Sequence, residues 1–415
     1  NMNARLAHVP AQGNRAGAAK YALLSAHRSR TRTSHLRVNA TKQPNPIPPD
    51  AKNIFIFGLG YTSIALGNWL AADGWRVSGT CRSLARVEAL GAKGWKVGIY
   101  DPARGLKLTP DLSCHLERSP YVLSSIPPLA LALYDPALSA QKALLSPLAA
   151  SGRIAWFGYL SSTGVYGDWQ GEWVDESSPC RQTSSKAIVR QEAEAAWLQM
   201  YEQYGLPTHI FRLGGIYGPG RSVLDAVQRE MSELSTSQQR RGRQRYTARC
   251  HVHDICAVLA TSILKPRPGG VYNVVDDDSA PRTEVMSYAR SLLAGGQGQG
   301  SCSNVTSKLI STAQSLPHSL TPAVTATAAA AVLSAREGQS SERIGIDGPG
   351  DIHSRSVGSG RGSGPEPLEE KRVRNRLIKS ELGLELRYPT YREGVVAIHR
   401  GEYWPLTEDD LRMLL

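Results

Sequence analysis

The chain has 415 residues, of which 41% are hydrophobic and 20% are charged, and its formal net charge is +12. This length suffices for one large α/β domain with a second lobe. Residues 1–49 hold eight of the 48 Lys and Arg and none of the 36 Asp and Glu, so the rest carries 40 basic against 36 acidic residues, a net charge of +4. A nucleic-acid partner would need a basic patch on the folded part, so we expect none.

The first 40 residues are rich in Ala, Arg and Ser and lack acidic residues. This composition is typical of an organelle transit peptide, and we expect import into the chloroplast, with the mitochondrion as the alternative. A disordered tail is the other interpretation of the same composition. A Pro-rich linker over 41–51 follows the predicted transit peptide. No apolar run approaches the ~18 residues that a membrane span needs, so we expect no membrane insertion.

From residue 52 onward, predicted strands and helices alternate. The apolar run Asn53–Phe57 is typical of a buried parallel strand, and a helix is predicted from about Tyr61 to Ala72. The alternation predicts a doubly wound parallel sheet of the Rossmann type with a smaller C-terminal substrate lobe. We expect six strands, the sheet being complete at the sixth. The further predicted strands are 75–80, 97–100, 121–125, 154–160 and 208–212, and the further helices are 84–90 and 186–204.

Two segments do not fit this core. Residues 233–248 form a polar, basic loop, and residues 295–365 are rich in Gly, Ser, Ala and Thr. The second segment predicts a low-complexity, disordered insertion that loops out from the surface. It interrupts a helical pattern at 285–293 that resumes at 366–382. The predicted organisation is therefore an NADP-binding Rossmann domain with part of the substrate lobe over 52–294, and a C-terminal lobe over 366–415.

Six cysteines are scattered without the spacing of a disulfide framework, so reduced thiols are expected. One local group, Cys250-His251-Val252-His253-Asp254-Ile255-Cys256, has the ligand types that zinc prefers. A strand entering a helix at Asp254 would point these side chains in different directions. We therefore predict no metal site.

A glycine motif follows the first predicted strand, at Gly58-Leu59-Gly60-Tyr61-Thr62-Ser63. A dinucleotide pyrophosphate needs backbone N–H groups at a helix N-terminus, and glycine lets the backbone approach it without a clashing Cβ. Ser63 stands at the third glycine position and is small enough for close packing between helix and strand. The place of the motif at the start of a βαβ unit favours cofactor binding over a simple tight turn.

The end of the second strand is where an acid would bind the adenosine ribose of NAD and a cation the 2′-phosphate of NADP. The segment there is Gly79-Thr80-Cys81-Arg82-Ser83, without an acid, so we predict NADP(H) rather than NAD(H). Arg82 as a solvated residue at a helix start is the alternative. Asp101 is a candidate for the adenine amino group, with a helix or turn cap as the other interpretation. The predicted cofactor set also includes the hydroxyls of Thr80, Ser83, Ser124 and Ser125.

A longer pattern begins at Tyr159-Leu-Ser-Ser162-Thr-Gly-Val-Tyr166-Gly-Asp168. It continues with 173–179, Phe211-Arg212 to Tyr217-Gly218-Pro219-Gly220-Arg221, 249–255 and 272–274, and with a tail over 370–375 and 388–394. These segments resemble the extended short-chain dehydrogenases/reductases, the NAD-dependent epimerase/dehydratase group, over residues 52–294 and 366–400. The tail resembles an atypical subgroup.

In active members of that family, a Ser or Thr, a Tyr and a Lys four residues later share the proton chemistry beside the nicotinamide. The resemblance assigns the serine position to Ser162. Counting back from Glu194, the Tyr and Lys positions fall on Lys186 and Arg190, so neither expected residue is present. Arg190 cannot lose its proton near neutral pH but is suited to holding a ribose hydroxyl or phosphate.

Two other residues are candidate acids for the proton transfer. Lys186 can act as an acid if burial and the neighbouring cation lower its pKa. The alternative interpretation is a lysine that is exposed to solvent. Tyr166 is the second candidate, the alternative being a packed, structural tyrosine. Arg212, Tyr217 and Arg249 are predicted to line a substrate cleft at the carboxyl ends of the strands.

Two functional classes follow from these assignments. The first is an NAD(P)-binding oxidoreductase or epimerase/dehydratase-like protein that acts on an unknown small molecule. The second is a catalytically silent NADPH-binding sensor or assembly factor, and the fold does not discriminate between the two. A homodimer is the candidate oligomeric state.

Overall fold

The computed structural model describes residues 52–130, 134–227, 242–295 and 369–415. The predicted transit peptide and nearly all of the predicted insertion lie outside these residues, as does the first part of the basic loop. All described residues fall in one unit that spans Asp50–Leu415.

The strands occur in this order along the chain: β1 (Asn53–Phe57), β2 (Arg76–Cys81), β3 (Lys96–Ile99), β4 (Tyr121–Ser124), β5 (Trp156–Ser162), β6 (Trp173–Val174), β7 (Thr208–Leu213), β8 (Gly215–Tyr217), β9 (Arg249–His251), β10 (Val271–Val274) and β11 (Arg372–Val373).

The α-helices between and after them are α1 (Tyr61–Ala72), α2 (Leu84–Ala92), α3 (Pro110–Glu117), α4 (Pro136–Ala150), α5 (Ser185–Tyr204), α6 (Val223–Val227), α7 (Val252–Leu264), α8 (Arg282–Gly295), α9 (Arg376–Ser380), α10 (Tyr391–His399) and α11 (Glu408–Leu414). Short 3₁₀ helices lie at Pro102–Arg104 and Thr163–Tyr166.

Seven strands form one sheet in the order β10-β7-β5-β4-β1-β2-β3, and every neighbouring pair is parallel. Apolar side chains cover both faces, in one buried cluster that contains Ile54 and another that contains Phe55. Consecutive residues of one strand point to opposite faces, so β1 is buried on both, as a central parallel strand requires. The prediction of a doubly wound Rossmann-type sheet is confirmed.

The topology fixes where a ligand can bind. The chain builds β1, β2 and β3 outward on one side and then crosses to β4 on the other side of β1. The helices that follow β1 and β4 therefore diverge, which opens a crevice at the carboxyl ends of these two strands. The β1–α1 turn, with Gly58 and Gly60, lies at this edge.

Three expectations need correction. The sheet is not complete at the sixth strand, because β10 pairs with β7 from Val271↔Ile210 to Val274↔Leu213 and adds a seventh. β10 has only four residues, too few for a clear period. The helix predicted over 366–382 is replaced by β11 and the short helix α9, because β11 pairs with β6. The fifth strand is β5, Trp156–Ser162, which extends two residues beyond the predicted end at 160.

A smaller apolar cluster forms the second lobe. It joins α6, α8 and α10 through buried side chains that include Val223, Val285 and Tyr391. The lobe lies beside a two-stranded sheet in which β8 pairs with β9. Of these two strands, β8 follows directly after β7. The carboxyl edge of the sheet thus faces a lobe whose residues come from before residue 296 and from after residue 368. In the described part of the chain, no helix is long and apolar enough to cross a membrane.

Candidate functional site

The β1–α1 turn is built from backbone that only glycine adopts without strain. Gly58 has φ +87°, and a Cβ added to it would lie 2.9 Å from Ile126 Cγ1. The Gly58 N–H donates to Thr80 Oγ1 at 3.0 Å, and Leu59 N–H donates to Thr80 O at 2.6 Å, so Thr80 holds the turn against β2. Gly60 is the N-cap of α1 and has no side-chain cap. The first-turn N–H groups of α1 are thus left for an anion.

The cavity beside this turn has the features that a dinucleotide requires. It encloses about 230 Å³ and is lined by Gly58, Leu59, Gly60, Thr80, Arg82, Asp101 and Ser125, among others. Nothing lies within 4 Å of the place where a Gly60 Cβ would be. The Oγ atoms of Ser63 and Ser124 are buried near this edge without a hydrogen-bond partner in the structure. Tyr61 and Thr62 continue into α1, and Thr62 is buried.

Two arginines line the end of this cavity at β2. Arg82 is exposed, and Arg86 lies four residues later on α2. The Nε of Arg86 is buried without a hydrogen-bond partner in the structure. Ser83 is the N-cap of α2 but makes no side-chain cap hydrogen bond. Asp101 lies 3.7 Å from Arg104, measured from carboxylate Oδ2 to Nε, so an ion pair with a cation three residues on occupies its carboxylate.

Ser162 ends β5 and lines a second cavity, together with Thr163, Gly164 and residues of the β7–β8 segment. Its Oγ accepts a hydrogen bond from the Gly164 N–H at 3.1 Å, which begins the 3₁₀ turn Thr163–Tyr166. The hydroxyl proton of Ser162 is not used in that contact. It is therefore able to donate to an oxygen in the cavity.

Tyr166 is fully buried behind that cavity. Its hydroxyl donates to Asn273 Oδ1 at 2.8 Å and accepts from Arg212 Nη1 at 3.0 Å. Burial raises the pKa of Tyr166 to about 12, against the opposing effect of the Arg212 charge. With both of its hydrogen bonds made inside the protein, Tyr166 is a structural tyrosine in this structure.

The two residues at the Tyr and Lys positions of the family motif differ in environment. Lys186 is exposed on the first turn of α5, and it does not line the cavities found in the described part of the chain. Arg190 is half-buried, and its Nη1 donates to Leu160 O at 3.2 Å, so it holds α5 against β5. The structure thus brings Ser162 into a cavity and leaves Lys186 in solvent.

Arg212 lies on β7 within the sheet and is buried. Its guanidinium makes three hydrogen bonds to the Glu194 carboxylate of α5, the shortest from Nη2 to Oε2 at 2.7 Å. Ser161 Oγ also donates to Glu194 Oε1. The predicted substrate residue Arg212 is therefore an anchor between sheet and helix in this structure, and does not line the cavities described above.

The other two predicted substrate residues, Tyr217 and Arg249, lie on the paired strands β8 and β9 and line a third cavity. Arg249 donates from Nη1 to Asp278 O at 3.3 Å and from Nη2 to Ala280 O. Tyr217 packs edge-on against His251. The second and third cavities share Gly215, Ile216, Arg221 and Thr247, so they are two lobes of one cleft.

The Cys and His residues after β9 have structural contacts. His251 Nδ1 accepts from the His253 N–H at 3.1 Å, and burial lowers the pKa of His251 to about 3. Asp254 accepts from the backbone N–H groups of Arg387 and Tyr388 at 2.9 and 3.0 Å. No group of metal-ligating side chains is found among the described residues. The five described cysteines are free, and Cys302 lies outside them.

Sequence reasoning missed three arginines that line these cavities: Arg86, Arg221 and Arg282. The signal for Arg86 was its place in the first turn of the helix predicted at 84–90, which begins just after the second strand. Arg282 begins α8, far from any strand end of the main sheet, and no local pattern marked it.

Residues 131–275 match the NAD dependent epimerase/dehydratase family. Protein YeeZ of Escherichia coli (strain K12) is 28% identical over 233 residues, which cover 54% of this chain and 77% of that protein. A functionally unknown conserved protein from Silicibacter pomeroyi DSS is similar in structure, with a TM-score of 0.57 and 29% identity, over 84% of this chain and 98% of that chain.

A dTDP-glucose 4,6-dehydratase from Bacillus anthracis str. Ames, solved in complex with NAD, has a TM-score of 0.53 to this chain at 16% identity, over 88% of this chain and 99% of that chain. At this identity, the likeness concerns the fold. Together, these findings show that the chain carries an NAD-dependent epimerase/dehydratase family domain over residues 131–275, on a parallel seven-stranded sheet with a glycine turn at its carboxyl edge.

Proposed function

We propose that the chain binds NADP(H) in the cavity beside the β1–α1 turn and acts with it as an oxidoreductase or epimerase/dehydratase-like enzyme on a small molecule. The observation that carries the proposal is the pair Arg82 and Arg86 at the end of β2, with no carboxylate between residues 79 and 86. Two guanidinium groups suit the doubly charged 2′-phosphate, which an acidic residue there would repel.

The remaining cofactor contacts follow from the same cavity. The N-terminus of α1 is suited to the pyrophosphate, because its first N–H groups lack a side-chain cap. Ser125 lines the cavity, whereas Ser63 and Ser124 are fully buried and do not line it. When bound, the nicotinamide supplies a hydride donor or acceptor to the cleft.

Ser162 is the residue of this chain that we assign to substrate orientation, since its hydroxyl is free to donate into the cleft. Proton transfer by Lys186 requires that the first turn of α5 moves toward the cleft when ligands bind. The Lys186 side chain is exposed in this structure.

A second function, NADPH binding without turnover as a sensor or assembly factor, is favoured by Tyr166. The hydroxyl of this candidate acid is held between Arg212 and Asn273. If neither Tyr166 nor Lys186 moves a proton, the cleft holds a cofactor but lacks an acid–base group.

The test follows consumption of NADPH by absorbance, and formation of product by chromatography, with a panel of aldehydes, ketones and nucleotide sugars. Product formation is measured as well because epimerisation and dehydration return the cofactor to its starting redox state. Under the enzyme proposal, Ser162→Ala lowers turnover tenfold or more, about 1.4 kcal/mol of barrier, and leaves NADPH affinity unchanged. Ser185→Ala, an exposed serine at the start of α5, is the matched control and keeps full turnover. NADPH binding without turnover of any compound would favour the silent function.

A further inference from the structure

The cavity that Tyr217 and Arg249 line encloses about 320 Å³ between the second lobe and the β8–α6 segment. Three arginines line it: Arg221 from the segment before α6, Arg249 from β9 and Arg282 from the first turn of α8. The acid that lines it is Asp225, so the described lining has an excess of positive charge.

The side chains of Arg221 and Arg282 make no hydrogen bond or ion pair with another described residue. The guanidinium of Arg221 lies over the Tyr61 ring, 5.5 Å from its centroid. Asp225 does not neutralise either arginine by contact. Its Oδ2 accepts from the Ser222 N–H at 2.6 Å and from Ser222 Oγ at 2.8 Å, which caps the start of α6.

Arg249 also makes no ion pair with a carboxylate among the described residues. Its hydrogen bonds go to the carbonyl oxygens of Asp278 and Ala280, and its guanidinium lies 5.4 Å from the centroid of the Tyr391 ring. The nearby carboxyl of Asp276 is buried, and neither oxygen has a hydrogen-bond partner in the structure. Burial raises the pKa of Asp276 well above its usual range.

The positive charges in the cavity therefore repel one another. Burial and the charge of Arg249 lower the pKa of Arg282. Arg282 is half-buried and Arg221 is exposed. A half-buried cation without a partner is costly, and an oxyanion that binds Arg282 removes that cost. The rest of the lining includes the apolar or aromatic residues Val223, Val285, Val395 and Tyr391, together with the hydroxyl-bearing Ser222 and Thr247.

We infer that this cavity binds an oxyanion, phosphate or carboxylate, on a small molecule whose remainder is apolar, and that Arg221 and Arg282 hold the anion. A guanidinium is matched in geometry to both oxyanions through two parallel N–H···O bonds. The inference rests on the proposed function in one respect, that this cavity is the second lobe of the substrate cleft. In that case it names the class of substrate: an acid-bearing molecule with an apolar body.

The experiment uses the full chain and three probes of one shape: phenyl phosphate, benzoate and phenol. Each is titrated by calorimetry at constant ionic strength, without and then with saturating NADPH. We expect phenyl phosphate or benzoate to bind and phenol to bind at least tenfold more weakly. Which of the two anions binds more tightly distinguishes a phosphate site from a carboxylate site.

The variants are Arg282→Gln and Arg221→Gln, and Arg290→Gln is the matched control, an exposed arginine on α8 that does not line the cavity. Each test variant weakens anion binding tenfold or more, while the control and NADPH affinity stay unchanged. Arg282→Lys, which keeps the charge but not the planar fork, gives an intermediate loss. Circular dichroism of each variant shows that the fold is kept.

Equal binding of phenol and the anions, or no anion binding at 10 mM, overturns the inference, as does full anion affinity in both glutamine variants. Anion binding in a protein that binds no dinucleotide overturns the proposed function and leaves the oxyanion site standing. NADPH binding without anion binding overturns the oxyanion site and leaves the proposed function standing.

Discussion

At the scale of single residues, the centre of the site is a buried network of charged and polar side chains. Glu194 holds Arg212 and Ser161, and Arg212 in turn holds Tyr166. The network joins α5 to β5 and β7. Sequence reasoning identified Glu194, Arg212 and Tyr166, but it did not predict that they bind one another, because their separation along the chain hides the contact.

Breaking this network on one side is expected to be costly. Arg212→Leu leaves the Glu194 carboxylate buried with Ser161 as its remaining partner, and removing one member of a buried ion pair costs about 3–5 kcal/mol. The free energy of unfolding in urea measures the loss. The double variant Glu194→Leu/Arg212→Leu is expected to be more stable than Arg212→Leu alone. A double variant that is less stable would show that side-chain packing, rather than the unpaired charge, sets the cost.

Asp276 predicts a pH dependence of stability. Burial raises its pKa in the folded state well above the value of about 3.9 that an unfolded chain has. The folded state then holds the proton over a pH range in which the unfolded state has lost it. Stability from this group is therefore lost as the pH rises from about 4 through the folded-state pKa.

Asp276→Asn cannot ionise, so we expect it to exceed the parent protein in stability at pH 8, with a smaller difference at pH 5. Urea unfolding at the two pH values measures this. Asp409→Asn, an exposed acid on α11, is the control and leaves the pH dependence nearly unchanged. A variant that loses more stability at pH 8 than at pH 5 would mean that ionised Asp276 stabilises the fold by pairing with Arg249.

At the scale of elements, the strands and helices predicted for the first half of the main sheet lie within about two residues of the observed ones, but the helices α3 and α4 were not predicted. The run that became β1 and the helix α1 match their predicted bounds, because a buried strand, a glycine turn and a helix each leave a local signature. β10 and β11 did not show such a signature. Each is short, and each is a strand because of the partner it finds, β7 for one and β6 for the other.

The β1–α1 turn allows a matched test of its role. Gly58 and Gly74 both have positive φ, +87° and +77°, so alanine at either position costs about 1–2 kcal/mol in the backbone. A Cβ on Gly74 meets nothing within 4 Å, whereas one on Gly58 approaches Ile126 at the cofactor cavity. We expect both alanine variants to lose stability in urea, but only Gly58→Ala to lose NADPH affinity, by tenfold or more. Equal NADPH affinity in the two variants would contradict the assignment of the turn.

At the scale of the whole molecule, the sequence predicted the family and the fold class because motif order and element order follow from local spacing. The transit peptide over 1–40, chloroplast import, the insertion over 295–365 and the homodimer stay predictions. The second lobe was the least predictable part. Its lining arginines come from β9, α8 and the segment before α6, and only the fold brings Arg221, Arg249 and Arg282 around one cavity.

The central claim is that Arg82 and Arg86 select NADP(H). It is tested most directly by titrating the protein with NADPH and NADH under tryptophan fluorescence, in the parent and in Arg82→Ala, Arg86→Ala and the exposed control Lys107→Ala. We predict at least tenfold tighter binding of NADPH than of NADH, about 1.4 kcal/mol, and loss of that preference in both arginine variants but not in the control. Equal or tighter binding of NADH by the parent protein, or no binding of either at millimolar concentration, would contradict the claim.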